Sequence, residues 1–366
     1  MGSIAEKDYR KLITVVIPNY NGEKFLAPCL DSVLSGNCKA EVIVVDNGST
    51  DKSCEIIEKN YPGVRLLKLK GNTGFAHAAN AGLMLTRTRF AFLLNNDTTI
   101  DGDCIEKLYE ALTRDPRAFS VQAKMLSMRD PGKIDDAGDY YCALGWAFPR
   151  GKGKPADRYN RPGRIFSACA GAAMYRMDVI EEIGYFDERH FCYLEDVDLG
   201  YRAKVYGYRN LYEPKAIVYH YGSASSGSAH NPFKEGLVPG NNAYLLHKNM
   251  PVLQYALNAP LIAAGRLIKR RYFAQKGLGE AYNKGLERGT ALKEKEKYAR
   301  AAAAYGEGPV KDPVPYEAML SEFDERTADM LPLYLGEKTA FELRNLPGYL
   351  KIQGELWANL VRRVFG

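Results

Sequence analysis

What this chain lacks narrows its identity. Its seven cysteines are odd in number and contain no Cys-x-x-Cys pair. That argues against a disulfide framework or a zinc knuckle and for a reducing compartment. The N-terminal MGSIAEKDYRK has no apolar core, so no secretory signal is read there. No clean run of the ~20 apolar residues that a spanning helix requires is present. The most apolar long stretch, PVLQYALNAPLIAAGRLI from Pro251, is interrupted by Gln254, Asn258 and Arg266. A cytoplasmic protein is expected, either soluble or peripheral on the inner face of the cell membrane. Internal repeats and strong low-complexity tracts are also missing. No Ser-His-Asp or Cys-His constellation points to a covalent nucleophile. The net charge of +6 over 366 residues is mild. It is weak support for nucleic acid, which is not expected as a partner, and it suits an anionic substrate or an anionic membrane surface equally well.

What is present is a rhythm. ITVVI (13–17), EVIVV (41–45), VRLLKL (64–69) and FAFLL (90–94) are short apolar runs separated by helical patterns. Strands alternating with helices predict parallel βαβ units, and continuous apolarity predicts a sheet covered on both faces. Each run stops at a small polar cluster: PNYNG, DNGSTD, GNTG and NND. In an open α/β sheet, ligands bind outside the carboxyl ends of the strands. Four such clusters on one edge read better as a ligand site than as four unrelated turns.

Farther on, 124–164 reads as irregular structure with short strands, SACAGAAMY (167–175) as a strand, and 194–206 as a helix with acids at its start. A strand over 216–219 ends at His220. The Ser/Gly-rich SASSGSAHNPF (223–233) reads as a mobile linker. Two domains are therefore expected, 1–230 catalytic and 231–366 helical. In the second, Arg266, Lys269, Arg270, Arg271 and Lys276 crowd beside Leu267, Ile268, Tyr272 and Phe273. Ile352, Leu356, Trp357, Leu360, Val364 and Phe365 recur at helical spacing with Lys351, Arg362 and Arg363 among them. These are basic amphipathic helices. They either pack on the catalytic domain or on a sister subunit, as in a homodimer, or lie in an anionic membrane interface.

Several residues can carry chemistry. Asp97, at a strand end, suits a hard divalent cation that takes its other ligands from a diphosphate and water. Asn95 and Asn96 offer neutral hydrogen bonds beside it. Asp46 can accept from a nucleotide base or ribose; Pro18, Asn19 and Asn21 can shape the base pocket. Asn72, Gly74 and Asn80 can line the diphosphate and sugar, Gly74 either for close approach to a ligand or for a turn. Glu195, Asp196 and Asp198 begin one helix, where mutual repulsion would raise the proton affinity of a general base. The bland reading of these acids is a solvated helix cap. His220 is one of five histidines and can give the cation a nitrogen ligand.

Taken together, TVVIPNYNG, EVIVVDNGSTD, GNTGFAHAANAG, LLNNDTT and GYFDERHFCYLEDVDLGYRAKVYGYR with its downstream YH resemble the inverting family 2 glycosyltransferases, nearest the bacterial rhamnosyltransferase-like branch. The motifs occur in the family's order over residues 13–220. The resemblance implies an α/β GT-A fold, a Rossmann-like mixed sheet flanked by helices, with a mainly helical C-terminal extension. It implies that Asp46 binds the base, that Asn95-Asn96-Asp97 stands where the family carries its metal-binding Asp-x-Asp, that Asp196 of the Glu195-Asp196 pair is the catalytic base, and that His220 completes the metal site. The departure is Asn95 in place of the first acid. The expected cofactor is Mg²⁺ or Mn²⁺. The expected donor is a nucleotide-diphosphate sugar, dTDP-rhamnose ahead of UDP-hexoses. The expected acceptor is a saccharide carried on a lipid such as a polyprenyl diphosphate, in cell-surface polysaccharide synthesis. Competing readings are a nucleotide-sugar pyrophosphorylase, which would need a Gly-rich, Arg-containing loop where PNYNG stands, and a catalytically silent nucleotide-sugar-binding protein. A processive synthase would need spanning helices and a late Gln-x-x-Arg-Trp motif, and neither is found.

Overall fold

A computed structural model describes residues 7–222, 230–304 and 338–365. The Ser/Gly stretch read as a linker lies largely outside them. In the first half, β1 (Lys7–Asp8), β2 (Ile13–Asn19), α1 (Leu26–Leu34), β3 (Cys38–Lys39), β4 (Glu41–Asp46), α2 (Ser53–Asn60), β5 (Arg65–Lys68), α3 (Phe75–Leu85), β6 (Phe90–Leu94), β7 (Thr98–Ile100) and α4 (Cys104–Arg114) follow one another. The four apolar runs are strands: ITVVI and EVIVV are rich in β-branched residues, and FAFLL carries two phenylalanines. β2 pairs in parallel with β4 and β6, and β4 with β5. Alternate residues feed opposite faces. Ile13, Val15 and Ile17 enter one core with α1 and α4, while Val16 enters the other with α3.

The second half is β8 (Ala118–Ser127), β9 (Asp130–Asp136), β10 (Asp139–Cys142), β11 (Trp146–Pro149), β12 (Gly163–Ile165), β13 (Ala172–Arg176), α5 (Met177–Ile183), α6 (Glu195–Val205) and β14 (Arg209–His220). The ten-stranded sheet runs β12-β14-β8-β13-β6-β2-β4-β5, with β7 on β14 and β9 on β8. β13 enters antiparallel between β6 and β8, which makes the sheet mixed. Two expectations need correction. The irregular region starts only after Ser127, because β8 is a buried ten-residue strand. The strand expected over 167–175 begins at Ala172, because residues 167–170 bend away. There the Ser167 carbonyl accepts from Asp139 N, Cys169 N donates to Gln122, and Ala170 N donates to Asp196.

Helices α7 (Pro232–Asn249), α8 (Val252–Gln275), α9 (Gly279–Ala304), α10 (Lys338–Arg344) and α11 (Leu346–Phe365) complete the chain. A third apolar core joins them to the sheet layer, with Tyr141, Phe166 and Tyr201 meeting Leu245, Ile262, Ile352 and Leu356. A buried polar lock reinforces it. Lys248 on α7 has no solvent exposure and donates to Asp187 and to Asp198, each at 2.8 Å. Asp198 also accepts from Arg202 at 3.0 Å and Asn249 at 2.6 Å, and Tyr244 donates to Asp187 at 2.9 Å. Burial would raise both carboxyls, but Lys248 and the neighbouring arginines outweigh it and hold them below the usual range. Their contribution to stability is therefore present above the unfolded carboxylate range near ~4 and is lost as pH falls through their lower folded values.

Removing one partner of such a buried set leaves an uncompensated charge. Lys248→Met is expected to lower unfolding free energy by about 3–5 kcal/mol, measured by denaturant titration. A change within error would show that the lock carries no net stability.

Candidate active site

The expected residues converge on one edge. Asn19, at the end of β2, donates to Asp46 Oδ1 at 2.8 Å and accepts from Asn96 at 2.7 Å, joining the ends of β4, β2 and β6 in one chain. Asp46 Oδ2 accepts from Ser49 N at 3.0 Å. Gly22 passes directly over this chain. A Cβ there would collide with Asn19 Oδ1 and Asn96 Nδ2, so only glycine fits. Pro18 sits beside Val45 in the β2–β4 ladder. Asn21 adopts φ 50° and its side chain accepts from Thr50 N at 2.8 Å. Asn47, not singled out from the sequence, ties the next loop: it donates to Asn72 and to the Gly74 carbonyl and accepts from Thr73 N.

Gly74 has φ 92°, and a Cβ on it would lie 2.5 Å from the Phe191 carbonyl. The close approach is thus to the chain's own loop, where Ala76 N donates to Phe191 O at 3.1 Å. Asn80 serves the same loop. It exchanges hydrogen bonds with Phe186 N and O and donates to Glu188 at 2.7 Å.

That loop carries a feature sequence reasoning missed. Phe191, Tyr193 and Leu194 have φ of 63°, 73° and 68°, a region that costs non-glycine residues about 1–3 kcal/mol each. Asn241 on α7 holds it by donating to the His190, Cys192 and Tyr193 carbonyls. Arg288 on α9 donates to Asn241 and, at 2.7 Å, to Arg189 O. The loop delivers Glu195 and Asp196 to the start of α6, and Phe191 and Tyr193 meet Phe233 edge-on.

Glu195 and Asp198 are buried and Asp196 is half-buried, so the acids there are not a solvated cap. Asp196 accepts from Ala170 N at 3.3 Å and Val197 N at 2.8 Å. Burial pushes its carboxyl up despite those bonds. Glu195 is 5% exposed, and its Oε2 has no hydrogen-bond partner. Burial, then the charges of Asp196 and Asp198, raise it well above the usual range. Asp136 and Asp139, which the sequence reading passed over, add to the same field. Burial lifts Asp136 to about 6 and Asp139 well up.

Asp97 lies on the other side. Its Oδ1 is 3.2 Å from His220 Nε2, and His220 Nδ1 is 2.7 Å from Asp135 Oδ2. Burial alone would lower His220, but Asp135 and Asp97 outweigh it and take it to about 9; Asp135 falls to about 2. Asp135 is a further missed residue. No group of three or more His, Cys, Asp or Glu among the described residues is arranged to hold a metal ion. Asp97 and His220 still fit a divalent cation that needs few protein ligands, with Asp135 fixing the imidazole from behind. The turn at Ala170–Gly171 joins the two sides: Asn95 N donates to Gly171 O at 2.9 Å, and Ala170 N to Asp196.

The family model for glycosyl transferase family 2 matches residues 14–184. These residues form a family 2 glycosyltransferase domain. An N-acetylglucosaminyl-diphospho-decaprenol L-rhamnosyltransferase of Mycobacterium tuberculosis is 29% identical over 238 residues, 57% of this chain and 75% of that protein. The mannosyltransferase PcManGT of Pyrobaculum calidifontis, solved with GDP-Man and Mn²⁺, superposes with a TM-score of 0.51 at 16% identity, covering 98% of this chain and 88% of that one. S. aureus TarS residues 1–349 with UDP-GlcNAc gives 0.50 at 16%, covering 78% and 92%. At such identity the likeness is one of fold, and the glycosyltransferase domain has the GT-A fold.

Since the folded Glu195 holds its proton more tightly than the unfolded chain does, its burial costs stability as pH rises between the two values. Glu195→Gln removes that titration. Thermal melts at rising pH above the ordinary glutamate range should show the wild type losing stability faster than the variant; parallel curves would refute the buried proton.

Proposed function

We propose that this chain is an inverting glycosyltransferase that moves a sugar from a nucleoside-diphosphate donor to a hydroxyl of a saccharide acceptor. One observation carries the reading: the turn at Ala170–Gly171 is hydrogen-bonded on one side to Asn95, which leads into the Asp97 that meets His220, and on the other to Asp196. This supports a site for the leaving diphosphate on one side of the turn and a base on the other. Asp97 and His220 would hold Mg²⁺ or Mn²⁺, which when bound neutralises charge on the leaving group. His220 would then offer Nε2 as the ligand atom, with Asp135 against Nδ1 fixing the ring. Asp46, Asn19 and Asn21 border the base and ribose pocket. Asp196, once ionised, takes the acceptor hydroxyl proton. The oxygen–anomeric carbon bond forms as the bond to diphosphate breaks on the opposite face, and configuration inverts.

The rhamnosyltransferase relative supports an activated rhamnose, for which dTDP-rhamnose is our choice, as donor and a saccharide on a polyprenyl diphosphate as acceptor. Asn95 in place of an acid is the one feature that favours a silent nucleotide-sugar-binding protein instead.

Two experiments decide. A nucleotide-sugar panel read by thermal stabilisation should show one donor stabilising the wild type with Mn²⁺, and this response should be lost in Asp97→Ala. No metal-dependent response to any donor would sink the reading. With that donor and an acceptor, Asp196→Asn should lower transfer by about 10²–10⁴-fold. The wild-type rate should fall on the acid side with an apparent pKa above ~3.9, the ordinary aspartate value, because burial raises Asp196. Donor binding with unimpaired transfer in Asp196→Asn would remove Asp196 as base.

A further inference from the structure

Helix α8 is built inside out. Its buried residues include Gln254, Asn258 and Gly265, while Val252, Leu253, Leu257, Leu267 and Ile268 are 52–86% exposed. Every other exposed position between 252 and 268 is alanine or proline. At ~1.5 Å rise per residue this apolar face is about 25 Å long. A helix facing water carries the opposite pattern. Helix α11 buries Tyr349, Ile352 and Leu356 on the third core, yet Leu346, Leu350, Trp357, Val361 and Val364 are 48–64% exposed. At ~100° per residue those five fall within roughly 60° of arc.

The two faces are one surface. Gln254 donates to Tyr349 O, Asn258 exchanges hydrogen bonds with Gln353, and Trp357 Nε1 donates to Asn258 at 3.0 Å. Partner numbers rise together, so the helices run in the same direction along this seam. The outward residues of α8 precede the seam in the sense of helix rotation and those of α11 follow it. On parallel helices both sets then point to the same side.

Charge identifies what covers them. α8 contains Arg266, Lys269, Arg270 and Arg271 and no acid. Arg270 and Arg271 are exposed at the end of its apolar face, and Lys351 is exposed on α11. Glu355, the acid of α11, is neutralised by Lys204 at 2.8 Å. Arg362 and Arg363 instead lie over Tyr140 and Phe148 and pin α11 to the β10–β11 hairpin. None of the described helices is long and apolar enough to cross a membrane. We propose that the α8–α11 face docks on an anionic membrane surface, lying in the interface with Trp357 at headgroup level.

Vesicles of phosphatidylcholine with about one third phosphatidylglycerol, the surface charge that attracts such segments, are the probe for the full chain. The wild type should sediment with them at low salt and far less with phosphatidylcholine alone. Its tryptophan emission should shift to the blue, Trp357 being one of only two tryptophans. Leu253→Glu/Leu257→Glu/Leu267→Glu should cut partitioning at least tenfold, and Arg270→Glu/Arg271→Glu should remove most of the dependence on anionic lipid. Both variants should keep the wild-type melting temperature and donor-induced stabilisation, since the altered positions are exposed. Wild type left in the supernatant at low salt overturns the proposal. So does a dimer in sedimentation equilibrium that the triple variant dissociates without any vesicle binding, for a second copy would then own the face. Donor-induced stabilisation tests sugar transfer separately, so neither failure can be mistaken for the other.

Discussion

An ammonium group with no access to water must be held by carboxylates, and the two that hold Lys248 belong to the loop before the acid pair and to the helix that loop feeds. Asp187 opens the turn that leads into Phe191–Leu194. Asp198 lies two residues past Asp196. In a low-dielectric interior such a set fixes geometry strictly, because any displacement leaves a charge unpaired. The left-handed residues beside it are strained and persist only where the surroundings over-determine them. Asn241 and Arg288 supply that determination through backbone carbonyls. Helices α7 and α9 therefore hold the loop and the start of α6 that carry the acid pair.

The two sides of the site are built on opposite physical terms. At the strand ends, two amides and one carboxylate make a satisfied hydrogen-bond chain: Asp46, Asn19 and Asn96 under Gly22. Near the Ala170–Gly171 turn, three buried carboxyls and the half-buried Asp196 share one field, and desolvation is the first cause raising each of them. Glu195 Oε2 has no partner at all. An arrangement that lowers stability at neutral pH is poor scaffolding and good base chemistry, since a base needs a proton affinity nearer its working pH. The stability lost there is offset by the two apolar cores on either face of the sheet.

Much of this was legible in the residues. Four apolar runs ending in Asn, Asp and Gly clusters announced parallel strands whose polar ends share one edge, because period and composition are local signals. The rest depended on contacts that local pattern does not encode. Asp135 meets His220 across 85 positions, and KIDDAGDYY reads as loop. Phe, Tyr and Leu at positive φ run against their own preferences, so no propensity could place that strain. The antiparallel insertion of β13 is likewise a property of the assembled sheet. Gly74 shows an intermediate case: the need for glycine was readable, but whether a ligand or the Phe191 carbonyl approaches it was not.

The C-terminal helices show how an accurate reading of composition can still hide an orientation. Gln254, Asn258 and Arg266 looked like interruptions that spoil a membrane span. Gln254 and Asn258 are the residues that face the protein, and removing them from the outer surface leaves it apolar. A helix anchored by polar contacts on one side can present an apolar face on the other only if something other than water receives it, since a patch of this length is rare on a soluble monomer. An acceptor carried on a lipid diphosphate would keep its reacting hydroxyl close to the headgroups. A site whose loop is held by helices that continue into an interfacial helix pair would meet that hydroxyl without extracting the lipid, so the exposed face and the buried lock would be two ends of one positioning device.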